Sequence, residues 1–231
     1  MQNSFRNKKK LFWIAFLAII FFVSNAQAQY NDFGVWASVS LRHKFSQKFS
    51  ASLEEQVRTY QNSTAIAQYF TEGTLEYELS KKFKLAAGYR FINNNQQTYY
   101  SKRHRIFADL SYKTSIKSLE FILRTRLQQQ QEDIRSSETG YIRQWYSRNK
   151  ITAKLDLRRK YTPYASAEMM FLLSAPNSDV NYIDKWRYTF GVEYDLNRVH
   201  SLDLFYLIQR DRMVNIPVTY FAAGIGYVYT F

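Results

Sequence analysis

The sequence predicts an all-β membrane protein, a transmembrane antiparallel up-and-down β-barrel, from three observations. The chain ends Phe221-Ala-Ala-Gly-Ile-Gly-Tyr-Val-Tyr-Thr-Phe231, where Phe221, Ala223, Ile225, Tyr227, Tyr229 and Phe231 recur with period two. That period puts them on one face of a strand, and an apolar face ending in an exposed aromatic needs something other than water to cover it. Ten further segments alternate in the same way, each close to the roughly 9–11 residues that cross a bilayer as a tilted strand. Over most of these segments the charges keep to one face, as they do when that face lines a lumen.

The N-terminal segment reads as a signal peptide. Arg6, Lys8, Lys9 and Lys10 form a basic start, Leu11 to Val23 is uncharged and apolar, and Ala26-Gln27-Ala28 is a small-x-small cleavage site. The apolar run is too short for a comfortable transmembrane helix. The domains expected are therefore a signal peptide over 1–28 and a barrel over 29–231. No cysteine is present, which removes disulfides, thiolate nucleophiles and thiolate metal sites. The formal charge is +13, four units of it within the first 28 residues, leaving about +9 for the rest. In a soluble protein that excess would suggest nucleic acid. Here the basic residues alternate with apolar ones along strands, and no nucleic-acid partner is expected. Aromatics make up 18% of the chain and prolines number three, in keeping with the weak per-segment signal of a barrel.

The segments lie near 32–45, 49–60, 69–79, 83–92, 102–113, 119–131, 144–157, 164–173, 184–196, 201–212 and 218–231. Short basic connections (46–48, 80–82, 114–118, 158–163, 197–200) alternate with longer Asn/Gln/Ser-rich ones such as 93–97 and 132–143. This is the periplasmic and extracellular asymmetry of outer-membrane barrels. Single-chain bacterial barrels have even strand numbers, so about twelve strands are expected, with ten as the alternative.

Parity sorts the faces. Phe49, Ala51, Leu53 and Val57, then Phe83, Leu85, Ala87, Tyr89 and Phe91, then Leu119, Phe121, Leu123 and Leu127 face lipid, as do Trp186, Tyr188, Phe190, Val192 and Tyr194. Phe45, Phe83, Trp145 and Trp186 suit the interfacial girdles. The lumen face carries Glu54, Arg58, Glu76, Arg90, Arg105, Arg124, Arg126, Arg148, Glu168, Arg187 and Glu193, together with Glu72, Arg103 and Asp109. Acidic residues of the second and third strands are expected to bridge to basic ones of the fifth to seventh across a narrow interior. Glu55 breaks the pattern and must sit at a membrane edge or face a neighbour.

The opening Asp32-Phe33-Gly34-Val35-Trp36, the stretch Phe49-Ser-Ala-Ser-Leu-Glu-Glu-Gln-Val-Arg58, Lys84-Leu-Ala-Ala-Gly-Tyr-Arg90 and the terminal Tyr-Thr-Phe together resemble the family catalogued as domain of unknown function 2490. The resemblance implies an outer-membrane barrel over essentially all of 29–231 and implies no reaction. The chain end is also similar to the C-terminal signal of outer-membrane barrels, which implies that Tyr227, Tyr229 and Phe231 are read by the barrel-assembly machinery. Outer-membrane lipids would be the other partner. The implied location is the outer membrane of a Gram-negative bacterium.

Catalysis is not expected. His43 and His200 lie at short-turn ends, as surface residues do. His104, with Ser147 and Asn149, could form an outward-facing lipid-hydrolase set, but two strand spacings of roughly 9–10 Å separate His104 from Ser147, whereas a nucleophile and its base need about 3 Å. The lumen carboxylates are ion-pair partners before they are acids and bases. No metal spacing or phosphate loop is present, and neither cofactor nor metal is expected. The function read from the sequence is a porin-like barrel with a charge-filled, largely occluded lumen. A narrow anion-favouring channel or small-solute uptake barrel is the alternative, and a lipid-modifying enzyme the second alternative.

Overall fold

The computed structural model describes residues 30–133, 135, 143–157, 159–174, 182–212 and 218–231. The signal peptide expected over 1–28 and most of the connection 132–143 lie outside these residues. Eleven strands close into a barrel: β1 (Tyr30–Lys44), β2 (Phe49–Tyr60), β3 (Ala65–Glu78), β4 (Phe83–Asn95), β5 (Tyr100–Ile116), β6 (Leu119–Glu132), β7 (Arg143–Leu155), β8 (Tyr161–Ser174), β9 (Tyr182–Asp195), β10 (His200–Asp211) and β11 (Val218–Thr230). Each pairs antiparallel with the next in chain order. The up-and-down barrel is as expected, and every alternating segment became one strand.

Among the described residues the strand number is eleven, between the twelve expected and the alternative ten. With eleven antiparallel neighbours in sequence, β1 and β11 must run the same way, and the seam between them is parallel. Phe231 N–H donates to Arg42 O at 2.9 Å, and Lys44 N–H donates to Phe231 O at 3.2 Å. One residue bonding to the two that flank its partner is the slanted parallel pattern. An even number was expected because single-chain bacterial barrels have one; antiparallel closure needs an even number, and the parallel seam lifts that need.

The seam is held by residues of the opening motif. The Asp32 carboxylate accepts the N–H groups of Gln61 and Asn62 (3.0 and 2.9 Å), holding the β2–β3 turn, where Gln61, Asn62 and Ser63 all have left-handed φ of 52–68°. Such a run costs energy for non-glycine residues unless its N–H groups find acceptors. Gly34 leaves room for Tyr220 of β11, whose hydroxyl passes over β1, donates to Thr59 O of β2 at 2.6 Å and accepts from Trp36 Nε1 at 3.0 Å. A Cβ on Gly34 would stand 1.9 Å from that hydroxyl. Trp36, Leu207 and Ala222 form a small buried apolar cluster here, with Phe205 and Tyr220 packed against it.

Three other lumen glycines are covered by aromatic rings from the paired strand: Gly88 by Phe107, Gly191 by Tyr164 and Gly224 by Phe205. The glycine lets the ring lie flat along the wall and the ring shields the bare backbone, the aromatic rescue of a strand glycine.

Connections at the Phe231 rim are short. In Ser46-Gln-Lys-Phe49 and Ser80-Lys-Lys-Phe83 the serine Oγ accepts two N–H groups ahead of it (3.0–3.2 Å), and Asn197 does the same towards Val199 and His200. These side-chain turns reverse the chain without glycine. At the opposite rim the gaps 61–64 and 96–99 are as short, and the long ones are confined to the second half of the chain.

Outward faces are apolar around the circumference. Val39, Leu53, Leu75, Leu85, Leu110, Leu123, Ile151, Phe190, Leu204 and Ile225 are all exposed, with Ala165 on β8. So large an apolar surface suits lipid, not water. Glu55 also faces outward and accepts from Thr71 Oγ1 on β3, so it faces a neighbour. At the Phe231 rim, His43, Phe45 and Phe231 pack together, and His200 stacks on Tyr229 (5.0 Å) with its Nδ1 2.6 Å from Tyr227 OH. Both histidines thus join an aromatic girdle.

Candidate functional site

The alternation that turns leucines outward turns the charges inward, and neighbouring strands bring them together. Asp109 on β5 and Arg126 on β6 are register partners, buried and joined by a two-pronged bridge of 2.7 and 2.8 Å. Glu168 on β8 is the centre of the interior. Arg148 on β7 approaches both its oxygens (2.8 and 2.9 Å), Arg124 reaches it from β6 at 2.8 Å, and Arg187 from β9 at 3.5 Å. One carboxylate therefore neutralises part of three guanidinium groups. Arg90 holds Glu72 at 2.5 Å.

Aromatic rings take up guanidinium faces where carboxylates do not. Arg58 lies 3.7 Å from the Trp36 ring centre, Arg90 3.7 Å from Phe70 and Arg126 3.6 Å from Phe107. Out of bulk water such contacts are each worth about 2 kcal/mol. Arg58 and Arg105 differ from Arg90, Arg124, Arg126, Arg148 and Arg187. Arg58 Nε donates to Gln56 Oε1, and Arg105 donates through Nε and Nη2 to Gln130 Oε1. Among the described residues neither has a carboxylate within salt-bridge distance.

The remaining expected lumen residues also point inward. Glu54 accepts weakly from Ser40 Oγ at 3.5 Å, Glu76 pairs with Lys84 at 3.2 Å and Glu193 with Lys154 at 2.6 Å. Among the described residues no ion pair bridges the axis as expected; the pairs run along the wall, within one strand or between strands one or two places apart. Eleven strands at normal spacing and tilt set opposing backbones about 22 Å apart, beyond the reach of two facing side chains. Sequence reasoning overlooked the inward aromatics Trp36, Phe70, Phe107 and Tyr220. Their parity, shared with Ser38, Glu72, Asp109 and Ala222, was the available signal.

A cavity of about 730 Å³ occupies the half of the lumen towards the longer connections, reaching the strand ends at Tyr60, Asn95, Asp184 and Val218. Among the described residues nine cationic side chains line it against four carboxylates, Glu54, Glu72, Asp184 and Asp211, while Asp109, Glu132 and Glu168 pair with its arginines from behind the lining. Arg90, Arg126 and Arg148 are among its lining residues.

The outward histidine does not assemble a hydrolase. His104 Nδ1 is 2.6 Å from Tyr89 OH, while Ser147 Oγ accepts from Asn149 Nδ2 at 3.1 Å. On the intervening strand His104 faces Gln131 and Ser147 faces Leu127, an offset of about 13 Å along β6. Among the described residues no three His, Asp or Glu side chains converge to hold a metal ion.

The model of a family described as a protein of unknown function, DUF2490, matches residues 33–216. The chain belongs to that family. None of the curated proteins matches this DUF2490 chain. Among solved structures it is similar to the β-domain of the Bordetella autotransporter BrkA, at 10% identity over 81% of this chain and 86% of that one, with a TM-score of 0.52. It is likewise similar to the translocator domain of the autotransporter NalP from Neisseria meningitidis, at 8% identity over 93% of each chain, with a TM-score of 0.51. At such identities the likeness is one of fold: the DUF2490 chain is an outer-membrane-type β-barrel.

Proposed function

We propose that this DUF2490 protein is an outer-membrane barrel whose lumen is constricted at mid-height by its own side chains, so that it seals the wall it forms instead of opening a wide pore. The observation that carries this reading is Glu168 with three arginines gathered on it, continued by the Asp109–Arg126 and Glu72–Arg90 pairs and by the rings of Trp36, Phe70 and Phe107. Held charges in a poorly hydrated interior attract more strongly than in water, and separating them exposes unpaired charge. The protein resides in the outer membrane after removal of residues 1–28, in contact with outer-membrane lipids, and the assembly machinery reads Tyr227, Tyr229 and Phe231. Catalysis plays no part in this reading. Planar-bilayer recording tests it: the unmodified protein gives little or no conductance, and a large, stable conductance refutes the constriction.

The nine-to-four excess of cations in the cavity favours a second reading, a narrow channel selective for anions. Reversal potentials in a salt gradient separate the two. Removing Arg124 and Arg126 together widens the path and weakens anion preference.

A further inference from the structure

We propose that the cavity is a binding site for a small organic anion carrying carboxylate or phosphate groups, with Arg58 and Arg105 as its principal ligands. The cavity faces the rim of the longer connections, and its volume of about 730 Å³ falls within the range of small-ligand sites, about 300–1,000 Å³. Among the described residues its lining is unbalanced, nine cationic side chains to four carboxylates. The imbalance is also local. Arg90, Arg103, Arg124, Arg126, Arg148 and Arg187 each have a carboxylate, three of them sharing Glu168, and Lys185 lies near Asp184 and Asp211.

Arg58 and Arg105 are anchored differently. Each is steadied by a neutral glutamine, Gln56 or Gln130, and Arg58 additionally by the face of Trp36. A guanidinium fixed by a neutral acceptor keeps its full charge and its remaining N–H donors for a partner from outside. Charge of one sign left uncompensated in a cavity with low-dielectric walls destabilises the fold unless an anion supplies the balance. Gln68, Gln128 and Gln144, also on the wall, can satisfy the ligand's hydroxyl or carbonyl groups. Glu54 sits four residues before Arg58 on the same face and repels an anion that enters too deeply. Binding is therefore centred on the rim side of Arg58 and Arg105.

This inference rests on the barrel reading of the interior and not on its constriction. The test is titration calorimetry on the refolded barrel in detergent, with citrate, inorganic phosphate and sucrose as probes. Citrate or phosphate binds and sucrose does not, and the tighter of the two anions names the preferred group. Arg58→Gln and Arg105→Gln each weaken binding by about tenfold, the loss of one charge-assisted bidentate contact. Lys113→Gln, on the lumen wall but outside this cavity, leaves binding unchanged. Heat-modifiable gel migration and anion-dependent thermal stabilisation of each variant separate lost binding from lost folding. Absence of binding by both anions at millimolar concentration, or unchanged binding in both arginine variants, overturns the proposal. A conducting barrel that binds citrate refutes the constriction alone, and a silent barrel that binds nothing refutes this site alone.

Discussion

Replacing Gly34 by alanine tests the parallel seam at its tightest point. The new methyl would stand 1.9 Å from the Tyr220 hydroxyl and 2.3 Å from the Thr59 carbonyl oxygen. The tyrosine must leave, giving up its bonds to Thr59 O and from Trp36 Nε1. Two hydrogen bonds at about 1 kcal/mol each, plus about 1 kcal/mol for forcing the methyl against backbone, give about 3 kcal/mol for Gly34→Ala. Tyr220→Phe loses only the hydrogen bonds and costs about 2 kcal/mol. Both substitutions remove the same pair of bonds, so the double variant is destabilised by about 3 kcal/mol, not by the roughly 5 that additivity would give. The assay is urea unfolding in lipid vesicles, followed by tryptophan fluorescence. Additive losses, or a Gly34→Ala variant as stable as the parent, would mean that Tyr220 does not pass over β1 as described.

Leu123→Arg, in the outward apolar band, should cost about 2–4 kcal/mol while Ile122→Arg, facing the lumen, costs much less; equal unfolding midpoints in a bilayer would contradict the facing. Glu168→Gln releases three arginines and should cost about 3 kcal/mol, whereas Glu76→Gln, whose partner Lys84 is half-exposed, should cost under about 1 kcal/mol. Comparable losses at the two sites, measured by the same unfolding titration, would show that the Glu168 cluster holds the interior no more firmly than an exposed pair does. Deleting Phe231, or changing Tyr229 to Asp, should lower outer-membrane levels and leave protease-sensitive periplasmic protein; normal insertion of both variants would remove these residues from any assembly role.

Period-two alternation made the wall legible. Leu119, Phe121 and Leu123 outward with Arg124 and Arg126 inward needs no partner strand to be known, because the pleat alone fixes the faces. What alternation cannot give is who meets whom. Arg148 finds Glu168 because β7 and β8 pair in one register, which sets the two diagonally opposed on the lumen face, and a one-residue slip of either strand would turn its own charge to the lipid face. The seam was hidden for a related reason. Asp32, Gly34 and Trp36 form a local motif, but their partners are Asn62, Thr59 and Tyr220, up to 184 residues away. The unpaired character of Arg58 and Arg105 was likewise invisible, since it depends on Gln56 and Gln130 taking the places that carboxylates hold elsewhere.

Barrels grow or shrink most simply by whole hairpins, and a hairpin carries two strands. Any number of such steps leaves parity unchanged. Eleven strands therefore cannot be reached from an even-numbered barrel by hairpin duplication or loss alone; one strand must come or go by itself, and with it one end of the wall changes sides. The same arithmetic sets a rule for redesign. A hairpin can be inserted at any turn of this wall while the β1–β11 seam stays parallel and its Tyr220 clasp is kept, but adding one lone strand would require the seam to be rebuilt in the opposite sense, with a different set of residues to fix its register.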